Sequence, residues 1–366
     1  MYKAIDLFSG AGGFTCGFRQ SGFNVVKALE INSQIAETYK KNNPNTNMIV
    51  DDIVNADKNN YFKKGDADVI IGGPPCQGFS MAGARNRNGF MGDPRNFLFK
   101  HYFNIVKTVR PKCFVFENVK GLVSMEHGEI FNEIKKIFSD KKLLDGDYYE
   151  LKWQIVNSFN FGVPQKRERF ILIGVLNGKN TDFDGIFEKT RSQMKNKIPH
   201  FFDEVTIKDA ISNLHETTTN GEVKNILPEN NYQEFLYSKK SSKIYNQSSR
   251  NHSEKALMRI KEVKPGENFK SLHDKIKSVH SGSYGRMVWN EPAVTITTRY
   301  DTPSGGRYIH PSEDRTITDR EAARIQSFPD DYVFVGSKTS ISTQIGNAVP
   351  PKMAMFLAKM VENILN

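Results

Sequence analysis

Short apolar runs alternate with amphipathic stretches along the first 175 residues. Short apolar runs bounded by turn residues are typical of buried strands, and a 3.6-residue repeat is typical of helices. Such alternation predicts an α/β fold with a doubly wound, mostly parallel sheet. The predicted strands lie at 3–8, 24–29, 47–50, 68–72, 112–116, 151–157 and 169–175, and the predicted helices at 13–22, 33–42, 97–109 and 128–139.

The pattern changes between about 178 and 290, where Asn, Lys, Ser and Thr dominate and apolar periodicity weakens. A disordered insert and a recognition domain built on loops both fit this composition. Scattered Phe, Tyr and Ile residues favour a small folded unit. A β-like run at 293–298 restores order, and 351–366 reads as an amphipathic helix. We therefore predict a larger domain from 1–177 plus 335–366 and a smaller domain and hinge from 178–334.

The composition is that of a soluble globular protein, with 38% hydrophobic and 25% charged residues among 366. No apolar run approaches the roughly 20 residues that a membrane helix needs, and the amino terminus has no signal-peptide pattern. Three scattered cysteines favour neither a disulfide framework nor a zinc site, so no metal is expected. These features predict a protein of the reducing cytoplasm.

The net charge of +10 suggests a polyanionic partner. This indication is weak by itself, but the positions of the charges strengthen it. Arg85, Arg87 and Arg95 follow a candidate reactive cysteine closely, and Lys and Arg crowd the stretch 239–277.

The most informative segment is 72–80, which reads GGPPCQGFS after the apolar run 68–71. Two glycines and two prolines bend and restrict the backbone at the end of a predicted strand. The carboxyl ends of parallel strands are where open α/β sheets bind ligands. This position favours a reactive thiol at Cys76 over a buried structural cysteine.

A glycine-rich turn at 6–14, DLFSGAGGF, links the first predicted strand to a helix. It departs from the dinucleotide fingerprint, because the third glycine of that pattern would fall on Thr15. Glu30 ends the next strand, where a carboxylate can accept hydrogen bonds from ribose hydroxyls. Asp52 and Ile53 follow the third strand and could hold an adenine. Together these strand ends predict a site for a ribose and an adenine.

Further segments follow in order: ENV at 117–119, QKRER at 165–169, REAARIQSFPD at 320–330 and QIGNAVPP at 344–351. With the cysteine and glycine turns before them, they resemble the DNA cytosine-5 methyltransferases of bacterial modification systems. The resemblance spans residues 3 to 175 and about 285 to 360. It implies a methyltransferase fold with a smaller target-recognition domain, which segment 320–330 is expected to organise.

The resemblance implies a set of catalytic residues. Carbon 5 of cytosine is a poor nucleophile until a thiolate adds to C6, which is the role implied for Cys76. Glu117 matches the carboxyl group that binds or protonates ring N3. Arg169 matches a cation near O2, with Arg167 nearby or supporting. The alternative for both arginines is a phosphate contact or a surface ion pair.

The implied methyl donor is S-adenosylmethionine. Its pocket would run from the methionine side, through the ribose, to the face and edge of the adenine, where Ile31 replaces an aromatic residue of other family members. The implied pocket residues are Phe8, Gly10, Gly12, Gly13, Glu30, Ile31, Asp52, Ile53, Pro75 and Asn347.

The implied substrate is double-stranded DNA with the target cytosine flipped out of the helix. The segment 77–96 suits a loop that closes over this base, with Ser80 on its backbone and Arg85, Arg87 and Arg95 on phosphates. We expect a monomer in the bacterial cytoplasm, associated with the nucleoid through DNA. A cognate restriction endonuclease would act separately.

Three alternatives remain. The tRNA-directed branch of the family carries the same catalytic motifs, although the long middle region favours DNA. A thiol hydrolase would need a histidine base, and His101 and His127 lie in helical contexts without a matching motif. A non-catalytic DNA-binding protein would not need Cys76, Glu117 and Arg169 together. The target sequence cannot be derived from these residues.

Overall fold

The computed structural model describes residues 1–56, 58, 60–75, 97–278 and 281–366. Among these residues, none of the helices combines the length and the apolar character that a membrane crossing requires. The predictions for the loop 77–96 lie outside the described residues, and so do those for Cys76, Ser80, Arg85, Arg87 and Arg95.

All the strands and helices predicted in the first 175 residues are present, and the carboxyl-terminal helix is confirmed. The strands are β1 (Lys3–Leu7), β2 (Asn24–Glu30), β3 (Asn47–Val50), β4 (Val69–Gly72), β5 (Cys113–Val119), β6 (Tyr149–Asn157), β7 (Gln165–Lys166), β8 (Glu168–Leu176), β9 (Val223–Lys224), β10 (Lys243–Ile244) and β11 (Ala293–Val294). The helices are α1 (Gly13–Gln20), α2 (Ser33–Asn42), α3 (Ile53–Ala56), α4 (Leu98–Val109), α5 (Glu129–Ser139), α6 (Phe183–Lys197), α7 (Ile207–Ile211), α8 (Asn231–Leu236), α9 (Glu254–Glu262), α10 (Asp319–Ile325), α11 (Lys338–Asn347) and α12 (Pro351–Leu365). The predicted run 293–298 is ordered as a strand only over Ala293–Val294.

Seven strands form one sheet in the order β3-β2-β1-β4-β5-β8-β6. The first five of these are parallel, whereas β8 runs antiparallel to both β5 and β6. The chain builds outward from β1 to β3 and then returns to add β4 and β5 on the other side of β1. This reversal makes the fold doubly wound, as predicted, and places a topological switch point between β1 and β4.

The core of the sheet consists of aliphatic strand residues and a cluster of aromatic side chains. The rings of Phe114 and Phe138 have centroids 4.4 Å apart, and Tyr102 packs edge-on against Phe116. The Tyr102 hydroxyl donates a hydrogen bond to the Val115 carbonyl oxygen at 3.2 Å, so its polar end is satisfied inside the core. This packing holds α4 and α5 against the sheet and fixes the strand ends.

The chain divides into two compact units. The first comprises Met1–Asn157, Glu168–Ile198 and Ala354–Asn366, and the second comprises Ser158–Arg167 and Pro199–Met353. These bounds differ from those of the predicted domains. Helix α6 belongs to the first unit because it packs on α12, where Phe187 and Phe356 have ring centroids 5.0 Å apart.

The second unit has little regular structure and is organised by buried arginines. Arg286 is 5% exposed and donates hydrogen bonds to the carbonyl oxygens of Val263, Ile260 and His310. Buried carbonyls in loops and at helix ends need such donors, because the regular hydrogen bonding of strands and helices does not extend to them. Segment 320–330 adds two more buried arginines, in keeping with its expected organising role.

Candidate active site and cofactor pocket

The predicted catalytic and cofactor segments of the first unit meet at the carboxyl ends of neighbouring strands. In the sheet register, Leu7 of β1 lies opposite Gly72 of β4, and Gly72 lies opposite Phe116 of β5. The glycine turn that follows β1, the Gly-Pro segment that follows β4 and Glu117 of β5 therefore share one sheet edge. This edge is at the switch point, where doubly wound sheets bind ligands.

Glu117 and Arg169 form an ion pair, with 2.9 Å between Glu117 Oε1 and Arg169 Nε. Glu117 lies opposite Ile171 in the β5–β8 register, and Arg169 is two residues from Ile171. The two side chains are therefore diagonal neighbours on one face of the sheet. They are 12% and 14% exposed, so the pair is sheltered from solvent yet still reachable. The structure thus brings these two predicted catalytic residues together.

Burial acts on the cation of this pair. It lowers the pKa of the Arg169 guanidinium, and the charge and the hydrogen bond of Glu117 oppose that shift. An arginine remains protonated under such conditions, because its ordinary pKa lies far above neutrality. The pair therefore places a fixed positive charge beside a carboxyl group, in an environment that screens charge poorly.

The segment that leads to Cys76 passes directly over Glu117. A Cβ atom at Gly73 would lie 2.7 Å from Glu117 Oε2, so a larger residue there would displace this carboxyl group. Asn118 Nδ2 donates a hydrogen bond to the Pro74 carbonyl oxygen at 2.9 Å and ties the segment to β5. Pro75, which immediately precedes the predicted nucleophile, is half-buried. The close approach explains the glycine at position 73 of the cysteine turn.

The glycine turn after β1 has the backbone geometry of a ligand cradle. Phe8, Gly10 and Gly12 have φ angles of 58°, 53° and 93°, in the left-handed region. A Cβ atom at Gly10 would have no heavy atom of the described residues within 4 Å, so the turn is open there. The buried Ser9 Oγ has no hydrogen-bond partner in the described part of the chain. An open turn with an unsatisfied buried hydroxyl is suited to a polar ligand.

Glu30 fixes the turn from the neighbouring strand. Its Oε2 accepts a hydrogen bond from the Gly10 N–H at 3.0 Å, and its Oε1 accepts one from the Asn32 N–H at 2.9 Å. Burial raises the pKa of this carboxyl group, and these backbone donors oppose the shift. A carboxylate has about four acceptor positions, so Glu30 can still accept from ribose hydroxyls.

The predicted adenine residues are placed differently from one another. Ile31 is 64% exposed, which leaves an apolar surface free for the face of a base. Asp52 is half-buried and accepts a hydrogen bond from the Val54 N–H. Ile53, by contrast, is 3% exposed and packs in the core, so its side chain offers a ligand little surface.

Asn347, another predicted pocket residue, ends α11 in the second unit and is exposed.

Arg167 differs from Arg169 in its surroundings. It is 2% exposed, and its guanidinium donates hydrogen bonds to the carbonyl oxygens of Ile296 and Gly346, each at 3.0 Å. These contacts lie within the second unit and join the backbone of a loop at Ile296 to the end of α11 at Gly346. They are those of an organising residue, which agrees better with a supporting role for Arg167 than with direct chemistry.

A buried polar network that was not predicted from the sequence, the buried relay, connects Asp6 of β1 with Thr15 and Tyr39. Thr15 Oγ1 donates a hydrogen bond to Asp6 Oδ2 at 2.6 Å and lies 2.7 Å from the Tyr39 hydroxyl. Asp6 is 1% exposed, and burial raises its pKa to about 7. The signal was an acidic residue inside the apolar strand 4–7, directly before the turn.

Comparison with known proteins identifies the class. The model of the family described as C-5 cytosine-specific DNA methylase matches residues 2–363. The Type II methyltransferase M.DdeI of Desulfomicrobium norvegicum is 34% identical over 98% of this chain and 88% of its own length. The Type II methyltransferase M1.HphI of Haemophilus parahaemolyticus is 34% identical over 98% and 86%.

Solved structures agree with the fold. A prophage-encoded protein of Escherichia coli, described as a candidate DNA modification methyltransferase, superposes with a TM-score of 0.72 at 27% identity over the full length of both chains. The Dnmt2 methyltransferase of Schizosaccharomyces pombe gives a TM-score of 0.57 at 16% identity, covering 100% of this chain and 98% of that one. At that identity the second likeness concerns the fold alone.

The fold and the strand-end site define an S-adenosylmethionine-dependent methyltransferase. More particularly, the chain belongs to the C-5 cytosine-specific DNA methylase family. Its activity is the transfer of a methyl group from S-adenosylmethionine to C5 of cytosine in DNA, as the sequence predicts. The open turn at Gly10, with a Ser9 hydroxyl that has no partner among the described residues, fits the methionine part of this cofactor, and the exposed Ile31 fits the face of its adenine.

Proposed function

We propose that this enzyme methylates a cytosine flipped out of one specific duplex DNA sequence, through a covalent bond between Cys76 and C6. The observation that carries the proposal is the sheltered Glu117–Arg169 ion pair beside the Gly73–Pro75 segment. An acid, a cation and the chain leading to a cysteine converge at one strand end, which is what addition of a thiolate to a pyrimidine requires.

In the proposed mechanism, the Cys76 thiolate attacks C6, and the electron pair of the C5–C6 double bond shifts to C5 and through C4 towards N3. Glu117 holds or delivers a proton at N3, and Arg169 stabilises the charge that develops at O2. Carbon 5 then becomes nucleophilic. After methylation, a base removes the C5 proton, and the C5–C6 double bond re-forms as the Cys76–C6 bond breaks and releases the thiolate. The proton at N3 returns to Glu117, which leaves neutral 5-methylcytosine.

S-adenosylmethionine supplies the electrophilic methyl group when it is bound. The turn from Phe8 to Gly13 would hold its methionine part, and Glu30 would accept hydrogen bonds from its ribose. Ile31 would cover the adenine, and Asp52 would bind the adenine edge. The buried position of Ile53 limits its side chain to a supporting contact. Pro75 and Asn347 remain proposed contributors to this pocket.

The second unit is the proposed reader of the DNA sequence. Its loops and its basic residues supply donors that can reach base edges and phosphates. Residues 77–96, with Ser80, Arg85, Arg87 and Arg95, are proposed to cover the flipped cytosine. The proposed domains are 1–177 with 335–366 for catalysis and 178–334 for recognition; the compact units differ from them, because α6 belongs to the first unit and residues 158–167 and 335–353 belong to the second.

The cellular setting follows from this activity. M.DdeI and M1.HphI are both Type II methyltransferases, a name that belongs to restriction–modification systems. We propose that the chain protects host DNA in the bacterial cytoplasm against a separately acting endonuclease. We propose that it works as a monomer, because a single chain supplies Cys76, Glu117 and Arg169.

Covalent trapping tests the mechanism. Fluorine at C5 cannot leave as the proton does, so a duplex carrying 5-fluorocytosine should arrest the reaction as a methylated Cys76–C6 adduct. We expect an adduct mass with the wild type and with the control Cys113→Ala, whose thiol is buried in β5. Cys76→Ala should give none. An adduct with Cys76→Ala, or no adduct with an active wild type, would contradict the covalent mechanism.

A further inference from the structure

Lys352, in the first turn of α12, is buried without a salt bridge among the described residues. Its side chain belongs to the second unit and the residue is 2% exposed. Burying an unpaired ammonium group is costly, and most lysines avoid it. A lysine in such a position therefore requires an explanation beyond packing.

An aromatic cage surrounds the ammonium group. Lys352 Nζ lies 5.0 Å from the ring centroid of Phe201, 5.3 Å from that of Tyr232 and 5.0 Å from that of Phe235. These are cation–π distances, and such contacts strengthen when water is excluded. The cage attracts the charge but does not replace a counter-ion.

The ammonium group also binds the backbone. Lys352 Nζ donates a hydrogen bond to the Gly162 carbonyl oxygen at 3.1 Å. Gly162 has a φ of 67°, and a Cβ there would collide with the Phe201 carbonyl oxygen and lie 2.6 Å from Lys352 Nζ. The lysine therefore holds a turn that only glycine can form at this place.

The turn held by Lys352 belongs to segment 158–167, whose other end carries catalytic-motif residues. Gln165 Nε2 donates to Gln326 Oε1 at 2.8 Å, and the buried Arg167 donates to the carbonyl oxygens of Ile296 and Gly346. Arg169 follows this segment by two residues. Lys352 thus binds segment 158–167 at Gly162. Other residues of the second unit bind the same segment at Gln165 and Arg167.

We propose that Lys352 is a positioning residue, which fixes the turn at Gly162 and thereby the segment that carries Arg167 and leads into Arg169. This role rests on the proposed function of those arginines. This role is distinct from cofactor binding, which is proposed for the glycine turn after β1.

The buried ammonium group of Lys352 should lower the free energy of unfolding. Burial lowers the pKa of Lys352 to about 7, and the charge of Asp203 opposes the shift. Asp203 is itself paired with His200, and the Tyr232 hydroxyl donates to the Arg324 carbonyl oxygen. The unfolded chain keeps the proton up to about 10.5, so it binds more protons than the folded chain between about pH 7 and 10.5. Stability should therefore rise with pH across that window.

The decisive variant is Lys352→Met, which keeps the length of the side chain but loses its charge and its donor. We expect a melting temperature a few degrees higher at pH 7 and a flatter rise of stability above pH 7. We also expect about tenfold lower kcat on duplex DNA with an unchanged KM for S-adenosylmethionine. The matched control is Lys359→Met on the same helix, which removes a partly exposed ion pair with Glu362.

Amide hydrogen exchange gives a readout that does not depend on activity. Exchange across residues 158–167 should be faster in Lys352→Met and unchanged in β1 and α1. Unchanged exchange in 158–167, or wild-type kcat, would overturn the positioning role. An inactive wild type with the expected exchange difference would instead count against the proposed function.

Discussion

Replacing Glu117 with Gln isolates the carboxyl group of the proposed catalytic pair. Gln keeps the size of the side chain and one acceptor oxygen, but it removes the negative charge 2.9 Å from Arg169. Both side chains are largely sheltered, so the remaining guanidinium would keep its burial and lose its counter-charge.

The expected costs follow from this geometry. Removing one partner of a buried ion pair costs about 3–5 kcal/mol, and a neutral hydrogen-bond acceptor recovers part of it. With about one-eighth of each side chain exposed, we expect a loss of about 2 kcal/mol in unfolding free energy. Loss of a proton donor at N3 should lower the rate of methyl transfer by about 10²–10⁴-fold.

Denaturant unfolding and single-turnover methylation of duplex DNA measure the two effects. The control is Glu168→Gln, because Glu168 is 46% exposed and pairs with Lys120, which is 62% exposed. It should change stability by less than about 1 kcal/mol and leave the rate intact. A Glu117→Gln rate within threefold of the wild type would refute the proposed role of this carboxyl group.

Two further variants test the cofactor side of the site. Glu30→Gln removes the carboxylate that accepts the Gly10 N–H, so the dissociation constant of S-adenosylmethionine should rise about tenfold in calorimetry. The control Glu37→Gln, at an exposed side chain, should not change it. Equal affinities of Glu30→Gln and the wild type would contradict the role of Glu30 in cofactor binding. Asp6→Asn tests the buried relay. The folded chain holds the Asp6 proton up to a pKa of about 7 whereas the unfolded chain releases it near 3.8, so wild-type stability should fall as pH rises from about 4 to 7. Melting curves of the Asn variant should lack this slope, and an unchanged slope would mean that another group titrates.

Much of the catalytic unit could be predicted from sequence, because local patterns determine it. Strand–helix alternation predicted the strands of the sheet, and the glycine-rich pattern predicted the turn that follows β1. The pairing of Glu117 with Arg169 was less accessible, since it depends on the antiparallel register of β8 against β5. The resemblance of the ordered motifs to the family nevertheless predicted a role for each of the two residues.

The residues that sequence missed act through tertiary surroundings. Asp6 is unusual only because Thr15 and Tyr39 enclose it, and Lys352 only because three aromatic rings from distant positions converge on it. Ile53 was expected at a ligand surface but lies in the core. Its apolar character fits both places, and only packing separates them.

The central claim is sequence-specific methylation of DNA by means of Cys76. Base-resolution methylation sequencing of DNA from a methylation-free bacterial host tests it most directly. We predict 5-methylcytosine at one short sequence context in cells expressing the wild-type chain and none in cells expressing Cys76→Ala. Absence of 5-methylcytosine from wild-type DNA, with methylated tRNA instead, would contradict the DNA target, and methylation by the Cys76→Ala variant would contradict the nucleophile.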